Sequence, residues 1–287
     1  MLAARPKTLP AAAAPVIVGT AVAWAEGVFG LLPALAALLG ALLIQIGTNF
    51  ANDVFDYKKG ADTAERLGPT RVTQAGLVPP EQVMTAMWLT FGLAAVVGLY
   101  LVYVGGFPIV AIGILSILSG IAYTGGPYPL GYNGLGDIFV FIFFGLVAVC
   151  GTYYVQAGTV STASIWASIP VGLLATAILA VNNLRDIETD VKAGKRTLAV
   201  RFGARGARIQ FVVYLVISYL IPPAMWMLDL APAWIMLAWI SIPMARRLVQ
   251  EIYTLKGKPL NKTLGGTGRL ELVFSLLFSL GMIVGAL

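Results

Sequence analysis

Nine stretches of this chain are apolar over the length needed to cross a bilayer. They run roughly 9–25, 31–52, 80–103, 107–122, 136–156, 165–186, 208–228, 231–252 and 270–287. A spanning helix needs about 20 largely apolar residues, and lipid leaves no water to satisfy a free backbone N–H or C=O. Continuous apolar runs of this kind therefore predict an all-α membrane protein, a single unit over residues 1–287. Composition agrees, since 11% of residues are charged against about a quarter in a soluble domain. Pro10, Pro80, Pro108 and Pro232 fall near expected helix starts, where a missing N–H costs little. Pro222 and Pro223 fall inside the seventh span and predict a kink there. The first span has the basic start of a signal peptide, Arg5 and Lys7. Pro10 and Pro15 interrupt it, and eight spans follow, so it reads as a retained helix.

The 19 lysines and arginines sort to one side. They lie at the N-terminus (Arg5, Lys7), after span two (Lys58 to Arg71), from the end of span six (Arg185 to Arg208), and after span eight with Arg246 and Arg247 (as far as Arg269). The opposite side carries only Glu26 and Asp229. The positive-inside rule then predicts a cytoplasmic N-terminus and an outer C-terminus. The net charge of +6 is accounted for by topology in a lipid bilayer, with no need of nucleic acid.

Histidine is absent, and the one cysteine, Cys150, sits in an apolar run as a packing residue. Chemistry is left to carboxylates, amides, phenols, lysines and arginines. Two helix ends concentrate these groups. The end of span two carries Asn49, Asn52, Asp53, Asp56 and, further on, Asp62. The end of span six carries Asn182, Asn183, Asp186 and Asp190. Asn49/Asp53, Asn52/Asp56, Asn182/Asp186 and Asp186/Asp190 are each four apart, so each pair stacks on one helix face. Stacked carboxylates repel unless a cation lies between them, and hard oxygen ligands without His or Cys suit Mg²⁺. Lys58 and Lys59 follow the first cluster; Lys192, Lys195 and Arg196 follow the second. Carboxylates, Mg²⁺ and basic residues together suit a diphosphate. The clusters lie four spans apart on one face, which suggests a repeat of four helices and four, plus a ninth.

A Gly/Pro-rich loop on the same face carries Tyr123, Tyr128 and Tyr132. Their phenols can hydrogen-bond a polar substrate and their rings can face a cation. The run Phe139–Phe144 reads as lipid-facing or packing aromatics. A transporter would place acids at mid-membrane in broken helices; here they close span ends.

Asn52-x-x-x-Asp56-x-x-x-x-x-Asp62 and Asp186-x-x-x-Asp190 resemble the two Asp-rich motifs of the UbiA superfamily of intramembrane prenyltransferases. Arg5-Pro-Lys-Thr-Leu-Pro10, Leu67-Gly-Pro-Thr-Arg71, Tyr123-Thr-Gly-Gly-Pro-Tyr-Pro-Leu130 and Gly194-Lys-Arg-Thr-Leu198 are similar to the branch that acts on 1,4-dihydroxy-2-naphthoate. The resemblance covers nearly the whole chain. It implies nine helices around a central cavity, and Asp53, Asp56, Asp62, Asp186 and Asp190 on Mg²⁺. It implies polyprenyl diphosphate held near Asn49, Asn52, Lys58, Asn182, Asn183, Lys192, Lys195 and Arg196, with Tyr123 at the reacting centre. Arg5, Arg71, Tyr128 and Tyr132 are the candidates for the aromatic acceptor. Other superfamily branches, acting on haem, 4-hydroxybenzoate or lipid ethers, are the alternatives. A Tyr-x-x-x-Lys pattern found in many members is Tyr128-x-x-x-Tyr132 here, which argues against the 4-hydroxybenzoate branch. Quinone synthesis implies the cell membrane, with the site on its cytoplasmic side.

Overall fold

A computed structural model describes residues 2–61 and 66–287, and all regular structure among them is helical. Asp62, expected as a metal ligand, lies outside the described residues. In chain order the helices are α1 (Leu9–Ala25), α2 (Leu31–Lys58), α3 (Pro80–Gly105), α4 (Phe107–Ala122), α5 (Gly136–Ala157), α6 (Thr162–Arg185), α7 (Ile187–Lys192), α8 (Leu198–Met227), α9 (Ile242–Thr254) and α10 (Leu260–Gly285). A short 3₁₀ turn, Pro6–Thr8, leads into α1, and a 3₁₀ segment, Ala233–Ser241, leads into α9. Pro10, Pro80 and Pro108 occupy first turns, and Pro232 precedes the 3₁₀ segment.

Among the described residues seven helices are long and apolar enough to cross a membrane. The other two expected spans take different forms. α4 has 16 residues. The eighth is a 3₁₀ segment running into α9, a rod of roughly 37 Å at the rises of the two helix types. The ninth begins at Leu260 rather than near 270. Its polar, glycine-rich start reads as loop in sequence, yet Thr263 and Thr267 turn inward and the helix packs against α1 and α6. Glu271 is fully buried on α10, in line with Thr263, Thr267, Ser275 and Ser279. α8 continues through Pro222 and Pro223, and its non-helical residue is Gly203 (φ 70°).

α5 is a composite. Its middle, Phe141–Val147, is a π-helix between two α-helical pieces. Gly145 lies at this wide turn and packs on Gly172 of α6, where an added Cβ would come 2.9 Å from the Gly172 Cα. Small residues at such a contact let two backbones approach where lipid supplies little drive for association.

One apolar core joins α1, α5, α6, α8, the 3₁₀ segment, α9 and α10, with Leu174, Phe211, Met225, Ile235, Phe274 and Phe278 at its centre. The cavity lies elsewhere. It measures about 530 Å³ and is lined by residues of α1 to α5 together with Tyr123. Its lining takes no residue from α6 to α10. Leu89, Leu93, Val96 and Leu99 of α3 face outward, as a lipid-facing surface requires.

Candidate active site

The two acidic clusters form as the spacing predicts, for local reasons. α2 continues through Asn52, Asp53 and Asp56 to Lys58. At the second cluster α6 ends at Arg185 and Asp186 forms the joint. The Asp190 N–H still donates to the Asp186 carbonyl at 2.7 Å, so the four-residue stacking survives the joint.

The 123–136 loop bridges the clusters. Thr124 Oγ1 donates to Asn52 Oδ1 at 3.0 Å, and the Tyr132 hydroxyl donates to Asp56 Oδ1 at 2.7 Å. The Arg196 N–H donates to the Tyr132 carbonyl at 2.7 Å. Two ammonium groups lie against the Tyr132 ring, Lys195 Nζ at 4.6 Å and Lys59 Nζ at 5.2 Å from its centroid. Lys195 Nζ is also 3.6 Å from Asp190 Oδ1. Asp56, Asp190, Lys59 and Lys195 thus converge around one phenol.

The expected residues divide into those that face this point and those used to build it. Asp56 faces it, held also by Arg71 Nη2 at 2.8 Å. Asn52 and Tyr123 line the cavity. Asp53 builds: its oxygens accept the N–H groups of Val72 (3.1 Å) and Thr73 (3.0 Å), and it is 1% exposed. Asn49 also builds, donating to the Ala4 carbonyl (2.9 Å) and to Thr8 Oγ1 (3.0 Å). That fastens the N-terminal segment in which Arg5 takes a left-handed conformation (φ 50°). Asn182 accepts from Arg185 Nη2 at 2.8 Å, and Asn183 is buried. Lys58, Lys192 and the Arg196 side chain are exposed; Lys59, the neighbour of Lys58, is the one that turns toward the site. Tyr128 is 61% exposed, away from the bridging contacts. Arg71, a candidate for the acceptor carboxylate, is engaged by Asp56.

Electrostatics follow burial. The Tyr123 phenol is pushed well above its usual range by burial, and then by Asp137, Asp56 and Asp190. Burial raises the Asp190 carboxyl to about 6; Lys195 opposes this, while Asp186 and Asp56 add to it.

Two residues had no role in the sequence reading. Arg185, 3% exposed, grips Asp186 with both faces of its fork (Nε to Oδ1 2.7 Å, Nη2 to Oδ2). Asn261 of α10 accepts from Arg185 Nη1 at 2.6 Å. Arg185 stands inside the second motif and is readable as a partner for Asp186; Asn261 has no local signal.

The Asp53 contacts make a prediction that separates building from binding. Asp53→Ala leaves two buried N–H groups without acceptors, a cost of about 1–3 kcal/mol each. Thermal unfolding in mild detergent is expected to shift down accordingly, while the rate of prenyl transfer falls far less than in an Asp56 variant.

The apolar chamber meets polar groups at Asn52 and Tyr123, next to the loop whose Tyr132 gathers the carboxylates and ammonium groups; long apolar helices around such a junction define the class of an intramembrane enzyme. The family model described as "UbiA prenyltransferase family" matches residues 12–261. The chain belongs to that family. The 1,4-dihydroxy-2-naphthoate octaprenyltransferase of Escherichia coli is 42% identical over 97% of this chain and 92% of its own length. That of Haemophilus influenzae is 39% identical over 98% and 94%. Among solved structures, a UbiA homolog from Aeropyrum pernix superposes with a TM-score of 0.71 at 14% identity, covering 96% of this chain and 98% of its own. One from Archaeoglobus fulgidus bound to GPP and Mg²⁺ gives 0.63 at 16%, covering 97% and 98%.

Proposed function

We propose that the protein transfers a polyprenyl chain from polyprenyl diphosphate to 1,4-dihydroxy-2-naphthoate, releasing CO₂ and diphosphate and forming the quinol form of demethylmenaquinone. The observation that carries this reading is the junction at Asn52 and Tyr123, where an apolar cavity of about 530 Å³ meets the polar rim. Such a junction suits a molecule with a hydrocarbon tail and a polyanionic head. The named naphthoate enzymes among the relatives support the acceptor.

The donor set fits Mg²⁺ by its chemistry. It offers hard oxygens from Asp56, Asp186 and Asp190, with Asn52 and Asn182 beside them. Among the described residues no three acids are grouped to hold an ion by themselves. Mg²⁺ would use one or two of these carboxylates and complete its shell with water and substrate phosphates. Bound there, Mg²⁺ would neutralise charge on the diphosphate. Lys59 and Lys195, steadied over the Tyr132 ring, supply positive charge to the leaving group. The apolar walls exclude water, which would otherwise convert the allylic cation to an alcohol. Phe139, Phe143 and Phe144 line the cavity and can present ring faces to that cation.

The naphthoate ring carbon bearing the carboxylate then bonds to the allylic carbon. Its bond to the carboxylate breaks, CO₂ leaves, and that electron pair restores the aromatic ring. No strong base is required, in keeping with a chain that has no histidine. In this reading α4 and the 233–254 rod also cross the membrane, giving nine crossings. The site faces the cytoplasm of a cell whose plasma membrane holds the protein, with the C-terminus outside.

The test is an acceptor screen with purified protein, Mg²⁺ and polyprenyl diphosphate, read by mass spectrometry. A product heavier than the naphthoate by one prenyl chain less CO₂ is expected. Prenylation of 4-hydroxybenzoate or a lipid alcohol instead would overturn the reading.

Acidity should weaken metal binding through Asp190. Mg²⁺ needs the carboxylate form, and a carboxyl titrating at about 6 carries a proton below that pH. The Mg²⁺ concentration for half-maximal rate is expected to rise as pH falls through 6, approaching about tenfold per unit. Asp190→Asn should flatten this dependence, and an equally steep one in that variant would assign it to another group.

A further inference from the structure

Two segments carry the acidic clusters, and they are far apart in sequence. Their separation in space must suit a single diphosphate if the proposed reaction is right, and this inference rests on that reading. Residues 67–73 are tied to both clusters. At one end Arg71 bonds Asp56 at 2.8 Å, and the Val72 and Thr73 N–H groups bond Asp53. At the other end the Leu67 carbonyl accepts from Asn261 Nδ2 at 2.7 Å. Asn261 Oδ1 in turn accepts from Arg185 Nη1 at 2.6 Å, and Arg185 grips Asp186 and Asn182. Gly68 lies on the same guanidinium: an added Cβ would come 2.9 Å from Arg185 Nη2 and 3.3 Å from its Cζ.

We infer that residues 67–73 form a crossbar setting the distance between Asp56 and Asp186, and that Asn261 is the positioning residue locking its far end. The chemistry of the joint requires a side chain that both accepts and donates, and the Asn261 amide does so. Guanidinium N–H groups only donate and a backbone carbonyl only accepts. The side chain between them must accept on one side and donate on the other within one short group. Asparagine does this in one orientation alone, so the joint also fixes its flip. Aspartate can accept from Arg185 but has no donor for Leu67 in its ionised form.

That difference gives the experiment. Mg²⁺-dependent binding of a non-reacting prenyl S-thiolodiphosphate is followed by thermal shift on the full chain in detergent, for wild type, Asn261→Asp, Asn261→Ala and Gly68→Ala. The half-saturating Mg²⁺ concentration is expected to rise about tenfold in all three variants, in the range for residues that orient ligands. The ligand-free melting temperature of Asn261→Asp should stay near wild type because the Arg185 contact is kept. Gly68→Ala disturbs the same joint from the crossbar side and does not depend on how Asn261 variants fold. A wild-type Mg²⁺ requirement in Asn261→Asp, or in Gly68→Ala, overturns the inference while leaving the proposed reaction intact. No Mg²⁺-dependent protection of the wild-type protein removes the diphosphate reading and the inference with it.

Discussion

Asp56→Ala is expected to lower kcat/KM for prenyl transfer by about 100- to 1000-fold, roughly 3–4 kcal/mol of transition-state stabilisation. The carboxyl is 2% exposed and its two oxygens are spoken for separately, by Arg71 at 2.8 Å and by the Tyr132 hydroxyl at 2.7 Å. Its removal acts in three ways. A hard oxygen ligand is lost. Arg71 loses its carboxylate partner. Tyr132 loses the acceptor that fixes the ring under Lys59 and Lys195. Asp56→Asn separates these effects: its amide oxygen can still accept from Tyr132, but it carries no charge. The asparagine variant should recover diphosphate affinity ahead of turnover. Steady-state kinetics with both substrates varied checks this, and an alanine variant within tenfold of wild type would remove Asp56 from the site.

The second large effect is expected at Arg185. Its side chain is fully buried beside Asp186, and it also holds Asn182 and Asn261. Breaking a buried pair by removing one partner costs about 3–5 kcal/mol because the other charge is left unpaired. Arg185→Ala should therefore unfold at markedly lower temperature in mild detergent and show little activity at any Mg²⁺ concentration. Lysine at this position restores charge without the planar fork. Arg185→Lys is expected to regain most of the stability but to keep a raised Mg²⁺ requirement. Recovery of both by lysine would mean that charge alone matters there, and the geometric role would fall.

Much of this arrangement is legible in the chain because helical periodicity is local. Asn52 and Asp56 share a face by spacing alone, and the proline positions mark helix starts without reference to tertiary contacts. Where the reading stopped, the deciding partner was distant or the backbone irregular. Asp53 and Asp56 look alike in sequence; what separates them is a pair of N–H groups some twenty residues on. Lys58 and Lys59 are equivalent until α2 ends between them. Tyr128 and Tyr132 differ only in how a glycine-rich turn aims them. Asn261 meets the Leu67 carbonyl across 194 residues, so no window of sequence could find it. The ninth span was started too late because a glycine-rich helix start imitates a loop.

The π-helical turn at Phe141–Val147 has a consequence for how the chamber can change. A π turn corresponds to one residue more than an α-helix of the same rise would hold. Deleting one residue there would let α5 run as a regular helix. The wide turn absorbs that residue, so the helix on either side would keep its facing while the side chains of the turn itself would be re-aimed. Phe143 and Phe144, adjacent and both on the cavity wall, would no longer share it in the same way. The contour of the apolar chamber is therefore stored in helix register as well as in side-chain size. A lineage can reshape the space around the tail by gaining or losing a single codon, with every remaining amino acid unchanged.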